Sequence, residues 1–189
     1  MLPIIAQAIG IGGMIANIVA FQFKSKRNIL ICQFVGSALF AVNMFMIGAI
    51  VGAIMNVLGV ARALVYMNKE KLPLPVWSVN LLFISAYIAS YVLTFTLIGV
   101  DPTFRNLAIE LLPVIAMSVM TLAFSGKDAK IIRLTGFINS PCWLVYNIFN
   151  YALGGILCES FGLISITTSV IRIDIMGKRS KNAEKEEQI

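Results

Sequence analysis

Charged residues in this chain gather in short clusters, and the residues between them form seven long apolar stretches. These run Leu2–Phe23, Asn28–Ile47, Ala49–Met67, Val76–Val100, Leu107–Phe124, Ile131–Asn150 and Leu153–Ile175. A bilayer core of about 30 Å is crossed by about 20 apolar residues in helix, so each stretch predicts one membrane-spanning helix. Without breaks at Gly48-Ala49 and at Tyr151–Gly154, the flanking stretches would fuse into helices far too long to span once. Two tight hairpins are therefore expected. Pro73 and Pro75 precede the fourth stretch, and Gly99-Val100-Asp101-Pro102 closes it, which is the punctuation of a linker.

The pattern also repeats. Gly52-Ala53-Ile54-Met55-Asn56-Val57-Leu58-Gly59 returns 103 residues later as Gly155-Ile156-Leu157-Cys158-Glu159-Ser160-Phe161-Gly162. Both copies hold one polar side chain between two glycines. Upstream, the same offset matches Phe21 with Phe124, Lys24 with Lys127, Ile29 with Ile132, Phe34 with Phe137, Ser37 with Ser140 and Val42 with Val145. Arg27/Lys130 and Phe40/Trp143 are conservative pairs at that spacing. A duplicated membrane unit with a polar residue in each half points towards transport. Three helices per copy leave the chain on the opposite side, so a second copy keeps the same orientation only if one further helix intervenes. Val76–Val100 aligns with neither copy and supplies that helix. The expected fold is an all-α membrane protein of seven transmembrane helices in a 3+1+3 plan of parallel repeats. Its parts are a first repeat (1–67), a linker with the fourth helix (68–104), a second repeat (105–176) and a cytoplasmic tail (177–189).

Composition agrees: 59% hydrophobic, 13% charged and a mean hydropathy of +0.88 do not describe an ordinary soluble domain. Charge then sets orientation. Of the fifteen Lys and Arg, all except Arg105 fall on one side of the seven-helix plan, which predicts an outside N-terminus and a cytoplasmic C-terminus. The net charge of +6 thus reports topology and not nucleic-acid binding. Basic residues follow the first stretch instead of preceding it, so it is expected to stay as a helix and not to be cleaved as a signal. In the polar tail, expected to be disordered, Lys178-Arg179-Ser180-Lys181 is placed to sit on anionic headgroups.

Three cysteines lie within apolar stretches and there is no histidine, which excludes a structural zinc and a histidine proton relay. No phosphate-binding loop, dinucleotide fingerprint or nucleophile elbow occurs. No cofactor, no metal and no enzymatic activity are expected.

The 3+1+3 plan resembles the SWEET and PQ-loop family of small-solute transporters. Trp143-Leu144-Val145-Tyr146-Asn147 resembles that family's Trp-x-x-Tyr-Gly motif, with Asn in the last place. The family carries an Asn sixteen residues after the Trp; here Glu159 stands there. In the first copy Phe40 takes the aromatic place and Asn56 follows at the same interval. The chain departs in lacking Pro-Gln in its first and fifth helices, and Glu159 leaves the substrate open. As a whole it is similar to the YgjV-type bacterial inner-membrane proteins, which are similar at a distance to the sugar transporters. The resemblance implies a multi-pass protein of the bacterial inner membrane that works by alternating access.

Glu159 lies about seven residues, or roughly 10 Å, into the last helix, where an ionised carboxylate needs water, a cation or hydrogen-bond donors. It reads as a substrate or proton site, or as a carboxylate turned to headgroups or to Arg105. Asn56 matches it in depth, as a second contact or as an interhelical hydrogen bond. Asn139, Trp143, Asn147 and Asn150 form one helical stripe, suited to the rings and hydroxyls of a sugar-like solute or to packing at the membrane boundary. Phe40 joins the stripe by repeat position. Ser37 and Ser140 read as close-packing positions. Glu110 reads as a headgroup-level carboxylate or the partner of Arg105 in a gate. Gly10 and Pro113, one repeat apart, read as hinges or static kinks.

The expected function is transport or facilitated passage of a small polar, sugar-like solute. Asn56, Glu159, Trp143, Asn147, Phe40 and Asn139 would form its site. The alternative is a structural, regulatory or lipid-interacting membrane protein on the same fold. Expected partners are a small polar solute, membrane lipids and, in a homo-oligomer, further copies of the chain, with no nucleic acid.

Overall fold

In a computed structural model, residues 2–126, 128–150 and 152–176 are described, with side chains from Ile5 onwards. The expected tail with its basic cluster lies outside them, as do Lys127 and Tyr151. Among the described residues seven α-helices form: α1 (Leu2–Ala20), α2 (Lys26–Met46), α3 (Ile50–Met67), α4 (Val76–Thr96), α5 (Phe104–Ser125), α6 (Ala129–Phe149) and α7 (Leu153–Ser169). A π-helical segment, Val170–Met176, continues α7, and the described residues contain no strand. In hydrocarbon every backbone polar group must be satisfied within its own segment, and the helix does this. Five helical spans among the described residues are long and apolar enough to cross a membrane, namely α2, α3, α4, α5 and α7 with its π-helical continuation; the apolar part of α1, Ile5–Ala20, is shorter. Large apolar side chains cover the outside of the bundle, among them Ile11, Phe45, Val57, Leu82, Leu122, Ile138 and Leu157. That surface suits lipid as its solvent.

Helix ends recur at a constant interval. α2 and α6 start at Lys26 and Ala129 and stop at Met46 and Phe149, 103 residues apart at both ends. The α2–α3 turn closes with Ala49 N–H donating to Met44 O at 2.9 Å, and the α6–α7 turn with Ala152 N–H donating to Asn147 O at 2.9 Å. Ala49 (φ −81°, ψ 70°) and Ala152 (φ −83°, ψ 80°) hold nearly the same backbone conformation. Gly48, at φ 80°, takes the left-handed conformation that only glycine adopts cheaply.

Six helices close a ring in which α1 packs on α2, α2 on α3, α3 on α5, α5 on α6, α6 on α7 and α7 on α1. α4 stands outside, against α3 and α5. Its apolar window is 17% buried against 50% for α5, so one stripe carries its attachment. Val79, Phe83, Tyr87 and Thr94 form that stripe. Tyr87 hydroxyl meets Thr121 Oγ1 at 3.1 Å, and Tyr91 donates to Leu107 O at 3.2 Å.

The end of the bundle that carries the basic loops is tied shut by polar contacts. Gln22 Nε2 donates to Ser165 O and Oγ, and Ser165 Oγ donates to Ile18 O, joining α1 to α7. Arg172 donates to Gln22 Oε1 at 2.8 Å. Arg133 forms a two-pronged ion pair with Asp174 and donates to Phe23 O at 3.0 Å. Lys26 Nζ donates to Gly126 O at 2.6 Å.

Candidate functional site

A polar side chain on a spanning helix is expensive facing lipid, so it turns inward. Residues of α1, α2, α3, α5, α6 and α7 line one internal cavity of about 60 Å³. All six residues expected from sequence, Phe40, Asn56, Asn139, Trp143, Asn147 and Glu159, are on its wall. Spacing explains this: Asn139, Trp143 and Asn147 lie on one face of α6, and Asn56 and Glu159 sit at matching heights on α3 and α7.

Glycines bring the helices close enough to form the wall. A Cβ at Gly13 would stand 3.0 Å from the Phe40 ring, and one at Gly155 would stand 2.5 Å from Asn147 Cγ. Ser37 packs on Gly59 as Ser140 packs on Gly162, with Oγ to ideal Cβ distances of 3.0 and 3.7 Å. A Glu159 carboxylate oxygen faces the same Gly162 at 3.9 Å. Asn56 Nδ2 donates to Gly52 O at 2.9 Å, leaving its carbonyl oxygen free. Trp143 meets Tyr146 edge-on, with ring centres 5.6 Å apart. Asn147 is buried, and its Oδ1 has no partner.

Three sequence expectations are corrected. Asn150 does not continue the polar wall: it is exposed at the end of α6 and donates to Tyr146 O. Glu110 is not a solvated carboxylate at the helix end. Thr103 caps α5 by accepting from Asn106 N, so the helix starts at Phe104 and carries Glu110 two turns inside. There it is buried, with Oε2 unpartnered. Arg105 makes no gate with it, because its guanidinium lies over the Phe149 ring, 5.0 Å from the centre.

Sequence reasoning missed Arg62 and Asn17 as wall residues. Arg62 counted among the basic residues that set orientation, yet it is 3% exposed and reaches across to α5. Its Nη1 donates to Met117 O at 3.1 Å and Thr121 Oγ1 at 3.4 Å, and Phe124 lies 4.9 Å beneath it. Its Nε has no partner. The available signal was depth, since Arg62 lies a full turn inside the end of α3. Asn17 comes from glycine-rich α1 and packs on Gly36, with Oδ1 unpartnered.

The cavity therefore gathers one cation, one carboxylate, several amides and an aromatic wall. No cluster of potential metal ligands occurs among the described residues. Since a water needs about 10–15 Å³ of such space, the cavity holds a few waters, well below the ~300 Å³ of an ordinary ligand site.

Residues 4–176 match the model of the Imp-YgjV family, described as bacterial inner membrane protein. The chain is 26% identical over 175 residues to the inner membrane protein YgjV of Escherichia coli strain K12, covering 93% of this chain and 87% of that one. No solved structure matches it. The chain belongs to the Imp-YgjV family and is a multi-pass protein of the bacterial inner membrane.

Proposed function

We propose that this family member moves a small polar solute across the inner membrane by alternating access between two three-helix units. The observation that carries the reading is the shared cavity. Residues of both units, α1–α3 and α5–α7, converge on one polar space enclosed by an apolar, lipid-suited exterior. Midplane sites at a repeat interface are the common plan of secondary transporters.

The internal repetition supports the two-unit plan. Helix starts, turn hydrogen bonds and the Ser37–Gly59 and Ser140–Gly162 contacts all recur at one offset. The ring of helices maps onto itself under the same exchange, with α1 for α5, α2 for α6 and α3 for α7. This exchange supports reading the bundle as parallel repeats of SWEET-like plan, with α4 as the inverting link. The polar ties at the basic end make that end the closed gate of this conformation. A sugar-like solute would enter only after the units part, because the cavity now holds a few waters.

A second reading keeps the fold without transport, as a structural or lipid-interacting protein, and the small cavity favours it. Purified protein in proteoliposomes separates the two. Transport predicts saturable uptake of a radiolabelled small solute from a panel of sugars, polyols and amino acids, reduced by Asn56→Ala and Asn147→Ala. Liposomes that take up no member of the panel above the protein-free rate would leave the structural reading standing.

A further inference from the structure

The charges and unpaired hydrogen-bonding atoms of the cavity are complementary to one kind of molecule. The planar guanidinium of Arg62 is a cation that offers five donors suited to carboxylate. In this bundle it touches a carbonyl, a hydroxyl, a thioether and an aromatic ring, none of them an anion. Its Nε remains unpartnered although the residue is 3% exposed. A desolvated cation without a counter-ion is costly, and an anion arriving in the cavity relieves that cost. Glu159 is the only carboxylate on the wall, and it forms no ion pair with Arg62. The described residues contain a single ion pair, Arg133–Asp174.

The rest of the wall is rich in acceptors. Asn17 Oδ1 and Asn147 Oδ1 lack partners, and Glu159 lines the same cavity. Arg62 is the thirteenth residue of α3 and Glu159 the seventh of α7. At 1.5 Å per residue the six-residue difference sets their backbones about 9 Å apart along the helix axis. The guanidinium itself rests on α5, at Met117, Thr121 and Phe124. A solute that satisfies both ends must carry an anion at one and several N–H donors at the other.

We propose that the solute is a small zwitterion, an aminocarboxylate whose carboxylate sits on Arg62 while its ammonium faces Glu159, Asn147 and Asn17. The proposal rests on the transport reading and narrows it, replacing a solute with hydroxyls alone by one with opposite charges at its ends. Trp143 and Phe40 supply the apolar side wall for its carbon chain.

The test is binding to the full-length protein in nanodiscs, in chloride-free buffer, followed by calorimetry. Glycine and γ-aminobutyrate bracket the charge spacing, butyrate lacks the ammonium, and glucose carries hydroxyls alone. At least one zwitterion should bind saturably, at least about tenfold more tightly than butyrate, as a lost charged hydrogen bond implies. Glucose should not bind. Arg62→Gln should abolish binding, and Arg62→Lys, which keeps the charge, should fold and retain weakened binding. Glu159→Gln should narrow the gap between γ-aminobutyrate and butyrate, which a purely structural role would not do. Glucose binding without either zwitterion overturns the proposal and leaves transport intact. Zwitterion binding unchanged in Arg62→Gln also overturns it. Failure of every probe to bind overturns it too; if proteoliposome uptake of the wider panel is then also absent, the transport reading falls with it.

Discussion

Asn147 packs directly on Gly155: a Cβ on that glycine would stand 2.5 Å from both Cγ and Nδ2 of the amide. Nothing lies within 4 Å of the corresponding position on Gly154. Gly155→Ala should therefore push Asn147 off its place and cost about 1–3 kcal/mol, as overpacking does. Gly154→Ala should be nearly neutral. Gly52→Ala meets only the flexible thioether of Met44 first and should fall between them. Thermal unfolding of the three variants in detergent ranks them.

Glu159 is the only carboxyl among the described residues that line the cavity. Uptake by the wild type should change with pH, and Glu159→Gln, which keeps the shape and removes the charge, should make the rate flat across the same range. Glu159→Asn restores the Asn pair that the SWEET resemblance implies and should give a pH-independent downhill path. A flat profile already in the wild type would remove Glu159 from the mechanism.

Arg133 and Asp174 pair with side chains 3% and 6% exposed, and the guanidinium also holds Phe23 O. Asp174→Asn leaves a buried cation with no anion and should cost about 3–5 kcal/mol. Replacing both by apolar residues should recover much of that loss. Chemical or thermal unfolding of the single and double variants measures the difference.

Orientation can be read with fusions. A reporter joined after Ile189 should report the cytoplasm, and one inserted near Asp101 the periplasm, because the basic loops share one side. Cytoplasmic signals from both would contradict a single-helix link between the units.

Helices were legible because apolar length in a membrane protein is set by the bilayer, and helix ends fell where basic or Gly/Pro residues interrupt it. Boundaries moved where a cap intervened, as when Thr103 started α5 at Phe104. Most of the cavity wall was legible through repetition: Asn56 pointed to Glu159, and Phe40 to Trp143. Arg62 and Asn17 were not, because the offset places the apolar Met120 opposite Asn17 and only a small serine, Ser165, opposite Arg62. Glu110 was misjudged for another reason. Its burial depends on the packing of α5 against α6, which the local sequence does not encode.

Arg62 and Ser165 hold the same place in the two halves, each reaching across to the first helix of the other unit. Asn56 and Glu159 form a second such pair of unlike residues. In two identical three-helix subunits assembled about a twofold axis every side chain would occur twice around the cavity, so one guanidinium would bring a second and one carboxylate a second. A single polypeptide carrying both halves is free of that constraint. With unlike residues at those places, this chain lines its cavity with one arginine and one carboxylate instead of two of each.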